Sequence, residues 1–461
     1  MKQTTRKICS ILLCGLLGGT AFSAVGCGRN EAEEPVEEGA TVVKIMMREF
    51  ETWRNDHFES MKRKFNSNLE DGLQIEVEYV IEENFNDRLQ SAREAGEAPD
   101  IILHSYNHIY TQMENGNIAP LNEYISAEAI GDITDVVKEA IEFDGKTYAY
   151  PWYTEASTVL FYSKSKFAEA GIEKAPATWA EMLAACEKLK PTMKKGTYAL
   201  GMPLGGDIGW VTWGMTYNQL GSWPLSANWD KSVFDNDVQK VNDFSRLLDY
   251  YGDIYDNNYA PVSAVHMNGY NEIISAWAEG KYAMTLAVSS QLGTLIQEYP
   301  DKVSDLGMAV MPTETGNQDL PTATNGGWCF CIDAKSSKKT EAGKVIEGLM
   351  FTDKEKNAEF YEMSGYSRYS ALKSIAAINE SKAKESEYKE FGALIGDVCS
   401  KAVMEPIYTW NVSLQICWAF ENMIQGDVPS TKQLTLEVHD KITDIIRVQQ
   451  LAGKNPHYKG E

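Results

Sequence analysis

The sequence predicts an α/β fold arranged as two lobes, and three observations carry that expectation. Two strand-like runs, Val42 to Met47 and Leu73 to Tyr79, flank a stretch with helical spacing at Phe58, Met61 and Phe65, which is a βαβ opening. Strand and helix signals then keep alternating, the pattern of an open parallel sheet whose ligand lies beyond the carboxyl ends of the strands. Finally, the 461-residue chain runs well past the roughly 250 residues at which a single core stops growing.

The amino terminus comes first. Lys2, Arg6 and Lys7 precede an apolar run from Ile8 to Gly19, and Ala24-Val25-Gly26-Cys27 closes the segment. A charged, then apolar, then small-residue order is an export signal. The run is shorter than the roughly 18 to 20 apolar residues a bilayer-spanning helix needs. Ala24 to Cys27 resembles the bacterial lipobox, with Ala24 where Leu is usual. Residues 1–26 are thus expected to be a signal peptide and Cys27 the site of lipidation; ordinary secretion is the alternative. Residues 27–40, rich in Glu, are too charged to bury a core and read as a tether.

A net charge of −23 disfavours nucleic acid and close contact with anionic lipid, leaving the lipid as the sole membrane attachment. Beyond Cys27 the cysteines are Cys186, Cys329, Cys331, Cys399 and Cys417, an odd, scattered set that makes no disulfide framework. Cys329 and Cys331 have strand spacing on one face, which reads as buried packing.

Asp100 to Leu103 is a third strand, left through the polar loop His104 to Asn107. Asp144-Gly145, flanked by alternating residues, marks a hairpin. Thr158 to Tyr162 is a further strand, and Thr178 with Glu181 forms a capping box at a helix start. A helix through Ile273 to Trp277 ends at Gly280, with strands after it at Tyr282 to Leu286 and Leu306 to Met311. From Thr340 onward the spacing is mainly helical.

In this order the segments Ala98-Pro99-Asp100-Ile101, Gly116 to Leu121, Asp144 to Pro151, Phe161 to Lys164, Pro176 to Trp179, Glu279 to Met284 and Asn325-Gly326-Gly327 resemble the extracellular solute-binding proteins of ABC importers. More narrowly, they look like the family that includes maltodextrin-binding protein. The resemblance implies a two-lobed periplasmic-binding-protein-like fold (type II), with an interlobe cleft and hinge crossovers near Glu155, Thr285 and Asp333. It implies an N-terminal lobe of 41–154 plus 285–333 and a C-terminal lobe of 155–284 plus 334–461. It also implies a monomer that delivers solute to ABC importer permease subunits. Ser289-Ser290-Gln291 lacks the aromatic residue often found there.

A sugar offers apolar C–H faces and a rim of hydroxyls, so its site needs aromatic platforms with carboxylates and Arg at the edge. Of 11 Trp, those in Gly-, Pro- or polar-rich loops are the candidates: Trp152, Trp210, Trp213, Trp223, Trp328 and Trp410. Trp179, Trp277 and Trp418 sit in helical patterns and read as core. Glu155 stands where, by the resemblance, the maltodextrin-binding relative has a sugar-contacting Glu. Glu51 and Tyr106 come after the first and third strands, and Asp207 lies in a glycine-rich loop. Tyr366 and Arg368 occupy the place of the family's Gly-x-x-Pro turn, here without the Pro.

The ligand expected is a carbohydrate, in particular an oligosaccharide, held reversibly. A secreted carbohydrate-active enzyme or a surface adhesin is the alternative class. No nucleophile elbow, phosphate loop or zincin helix is present. His104 and His108 have no third ligand nearby, so neither metal nor cofactor is expected.

Overall fold

The computed structural model describes residues 37–68, 72–267, 271–426 and 430–459. The expected signal peptide and Cys27 lie outside the described residues. In chain order the strands are β1 (Thr41–Arg48), β2 (Leu73–Val80), β3 (Ile101–Ser105), β4 (Ile118–Ala119), β5 (Glu142–Phe143), β6 (Lys146–Thr147), β7 (Tyr150–Ala156), β8 (Val159–Ser163), β9 (Tyr198–Gly201), β10 (Tyr282–Ala287), β11 (Leu306–Ala309), β12 (Thr324–Asp333) and β13 (Val403–Met404). One sheet runs β13-β12-β3-β1-β2, with β4 and β7 also paired to β12; a second runs β11-β8-β10-β9.

The opening is the expected βαβ unit. β1 and β2 are parallel, with Thr41 opposite Leu73 and Arg48 opposite Val80. The helix Thr52–Asn68 between them buries Trp53, Phe58, Met61 and Phe65, because residues three and four apart share a helix face. The hairpin of β5 and β6 turns on Asp144 and Gly145, both at positive φ (51° and 72°), the backbone a tight primed turn demands. Thr178 and Glu181 form the full capping box at the helix Trp179–Leu189. Cys329 and Cys331 are both buried in β12. No helix among the described residues is long and apolar enough to cross a membrane.

The division of the two halves differs from the expected one. β10 is held between β8 and β9 along its length, and β11 pairs with β8. A crossover at Thr285 would break those ladders, so 285–309 belongs with the second sheet, not the first. The helix Lys339–Glu347, expected in the second half, packs on β1, β2 and β12. By contrast, the helices Trp410–Gln425 and Thr431–Gln449 pack on each other and on Val238–Asp256 beside the second sheet. The chain therefore changes sheets after Ala156, between Ala309 and Thr324, and between Met404 and Trp410.

These passages are stitched together by short polar side chains. Ser157 N donates to Thr324 O at 2.9 Å, and Thr324 N to Ser157 Oγ at 2.9 Å. Ser289 N donates to Ala156 O at 2.9 Å, while Ser289 Oγ accepts from Ala156 N at 3.1 Å and donates to Ser367 O at 2.8 Å. Small hydroxyls satisfy buried backbone groups where strand ladders must stop.

Candidate functional site

Beside this junction, four ionic side chains meet almost out of contact with water. Glu51 stands between β1 and the start of the helix Thr52–Asn68, and its Oε2 lies 2.7 Å from Arg54 Nη2, one helical turn on. Arg54 also donates to the Tyr153 hydroxyl and lies over the Phe50 ring, 3.5 Å from its centroid. Arg368, from the loop after the helix Lys354–Met363, places Nε 3.4 Å from Glu155 Oε2 and Nη2 3.9 Å from Glu51 Oε1. Trp53, Tyr153 and Phe360 wall it in, with centroids 5.1 to 5.4 Å away.

Charges so placed must balance, since an unpaired buried ion is costly. Burial pushes the Glu155 carboxyl above its ordinary range, while Arg368 and then Arg54 pull it down. Around the cluster, the Gln291 amide and the Ser367 hydroxyl are buried without a hydrogen-bond partner. Such groups call for hydroxyls or water to meet them. The cluster thus sets two carboxylates against two guanidinium groups at balanced charge.

A third carboxyl stands on the segment that carries the chain from β13 to the helix Trp410–Gln425. Glu405 N donates to Asn325 O at 3.1 Å, and its Oε2 accepts from Asn107 N at 3.4 Å. It fits because residue 326 is glycine: a Cβ there would lie 2.2 Å from Glu405 Oε1. Burial raises this carboxyl to about 8, opposed by the Asn107 N–H and reinforced by the charge of Glu155.

The expected residues separate into three groups. Glu51, Glu155 and Arg368 do come together. Trp210, Trp223 and Trp410 keep part of their surface exposed. Trp223 meets Tyr408 edge-on at 5.9 Å, and Trp410 meets Trp213 at 5.6 Å. Trp223 also meets Tyr217, and Tyr408 meets Trp229, so these four rings make an aromatic row on the second half, with Trp410 and Trp213 as a separate pair.

The third group is structural. Trp152 is not a platform: it is 1% exposed and packs among Phe58, Phe330 and Phe360 at 5.1 to 5.8 Å. The tripeptide around it looked like a loop, yet every residue of β7 is buried. Trp328 is likewise covered, by Phe50 at 5.0 Å and by the Arg48 guanidinium at 4.8 Å. Trp213 is buried, with Nε1 donating to Ser413 Oγ at 2.8 Å, so it backs Trp410 rather than facing out. Tyr106 is fully buried and donates to Tyr153 O at 3.1 Å. Tyr366 is a turn residue at φ 57°, nearly buried. The side chain of Asp207 lies outside the described residues.

Sequence reasoning missed Arg54, Tyr153, Gln291 and Glu405. Arg54 had a signal, since opposite charges three residues apart meet on a helix. Glu405 had none, because its partners Asn107 and Asn325 are distant in the chain.

Residues 60–389 match the family described as bacterial extracellular solute-binding protein. A putative binding protein of Brucella abortus is 25% identical over 38% of this chain and 40% of its own length. The Mannitol-binding protein of Pseudomonas aeruginosa is 26% identical over 49% of this chain and 50% of its own. The chain thus spans half or less of these relatives' lengths. Among solved structures, an ABC transporter solute-binding protein from Thermotoga lettingae, bound with α-D-tagatose, superposes with a TM-score of 0.74 over 88% of this chain and 100% of the other, at 20% identity. That likeness shows the two-lobed type II periplasmic-binding-protein fold.

Proposed function

The chain belongs to the bacterial extracellular solute-binding proteins, which bind solutes for import and are not enzymes, and on that premise we propose that its cleft takes a carbohydrate. The observation that carries this reading is the charge-balanced cluster of Glu51, Arg54, Glu155 and Arg368 with Gln291 and Ser367 unmet beside it. Hydroxyls both donate and accept, so a sugar rim suits such a mixed lining without leaving a charge unpaired. The partly exposed rings of Trp210, Trp223 and Trp410 supply platforms for the C–H faces. Three such platforms, rather than one, suit an oligosaccharide better than a single ring. The relative named for mannitol and the neighbour holding tagatose favour a second reading, a small sugar or polyol.

In this reading the protein works as a monomer, holds its solute reversibly, and presents it to the permease of an ABC importer. Cys27 carries the lipid that keeps it on the outer face of the cell membrane, and residues 28–40 act as the tether. Calorimetric titration with neutral oligosaccharides, monosaccharides and polyols, and product analysis afterwards, tests the proposal. Stoichiometric binding with every glycan recovered intact is expected. No binding across the panel, or cleavage of any member, overturns it.

A further inference from the structure

The chain does not stop at the end of the helix Thr431–Gln449. Gln450 takes the left-handed conformation, φ 53°, ending the helix and turning the chain away from it. The residues beyond Gln450 touch both halves of the molecule. Toward the second half, Leu451 is buried and Gly453 N donates to Asn228 O at 2.9 Å. Asn455 Nδ2 donates to Ala227 O at 2.7 Å. Toward the first half, the Tyr110 hydroxyl donates to Lys454 O at 2.7 Å. His457 Nε2 lies 2.7 Å from Glu139 O, and its ring lies 5.8 Å from that of Phe143.

The same place holds a direct contact between the halves. Tyr110, in the helix Tyr106–Glu114 that packs on β3 and β12, meets Phe143 at 5.2 Å and Trp229 at 5.9 Å. Trp229 in turn meets Tyr408 at 6.5 Å, and Tyr408 meets Trp223. An unbroken line of rings therefore runs from His457 through Phe143, Tyr110 and Trp229 into the aromatic row. Trp229 sits at φ 56°, a conformation that bulky residues adopt at a cost and only when their surroundings impose it.

We propose that the segment Gln450–His457 is a latch that fastens the two halves in the arrangement of this structure. It is rooted in the second half by Leu451, Gly453 and Asn455, and it grips the first half at Tyr110, Glu139 and Phe143. When the halves part, the grip on one side is lost while the root on the other persists. This arrangement then owes part of its population to contacts that no solute makes. This holds whatever the cleft binds.

Small-angle X-ray scattering of the soluble chain from residue 28, with no saccharide added, tests the latch. Three proteins are compared: the unaltered chain, a truncation after Ala452, and the full-length pair Tyr110→Phe with His457→Ala. Circular dichroism melting confirms that each is folded, and the point variants serve if the truncation is not. A shift of the folded variants to a larger radius of gyration is expected. Scattering curves that superpose on that of the unaltered chain overturn the proposal.

Discussion

Arg368 and Glu155 form an ion pair, Nε to Oε2 at 3.4 Å, at a place where neither side chain is more than 3% exposed. Removing one member strands the other in a medium that cannot solvate it. Arg368→Ala is expected to lower stability by about 3–5 kcal/mol. Replacing both, as Arg368→Met with Glu155→Leu, should cost less than the sum of the single changes. Urea unfolding of the four proteins checks this, and strict additivity would count against the pairing.

The tryptophans divide by role. Trp152→Ala empties a site among Phe58, Phe330 and Phe360 and is expected to cost about 3–5 kcal/mol of stability. Trp410→Ala and Trp210→Ala should change stability far less and weaken saccharide binding by about 1 kcal/mol or more. Denaturation midpoints and calorimetric affinities, measured on the same preparations, separate the two effects.

Glu405 makes stability depend on pH in a definite direction. Its carboxyl titrates at about 8 in the folded chain against 4.5 ordinarily. Between those values the folded chain keeps a proton that the unfolded chain has released. The contribution of Glu405 is thus fully present below pH 4.5 and lost as pH climbs to about 8. Glu405→Gln removes this loss, so the variant should gain on the unaltered protein between about pH 5 and about pH 8. Urea midpoints at both pH values decide it, a constant difference being the contrary outcome.

Lipid attachment at Cys27 predicts that Cys27→Ser abolishes incorporation of labelled palmitate and moves the protein from the membrane fraction to the soluble one. Unchanged partition between the fractions would leave the tether without an anchor.

Local patterns were legible in the chain wherever the physics was local. The βαβ opening, the Asp144-Gly145 turn and the Thr178–Glu181 box each depend on residues within a few positions of one another. Glu51 could be picked out at the exit of the first predicted strand, whereas Glu155 and Arg368 came from the family resemblance. What the chain concealed was tertiary. Trp152 sits in a run of aromatics and proline that resembles a loop, but both faces of β7 are covered. The sheet membership of β11 rests on its ladder with β8, far earlier in the chain, and the Glu405 environment on Asn107 and Gly326. No periodicity reports such pairings.

The first sheet holds one more consequence, in the timing of its assembly. β12 is the strand on which it closes, bonded to β3, β4, β7 and β13, and it is made only after the whole second sheet has been threaded through. Until residues 324–333 arrive, β3 has an open edge and β7 has no partner in that sheet. Pairings this distant in the chain carry a high loop-closure cost, so the first sheet is expected to complete late in folding.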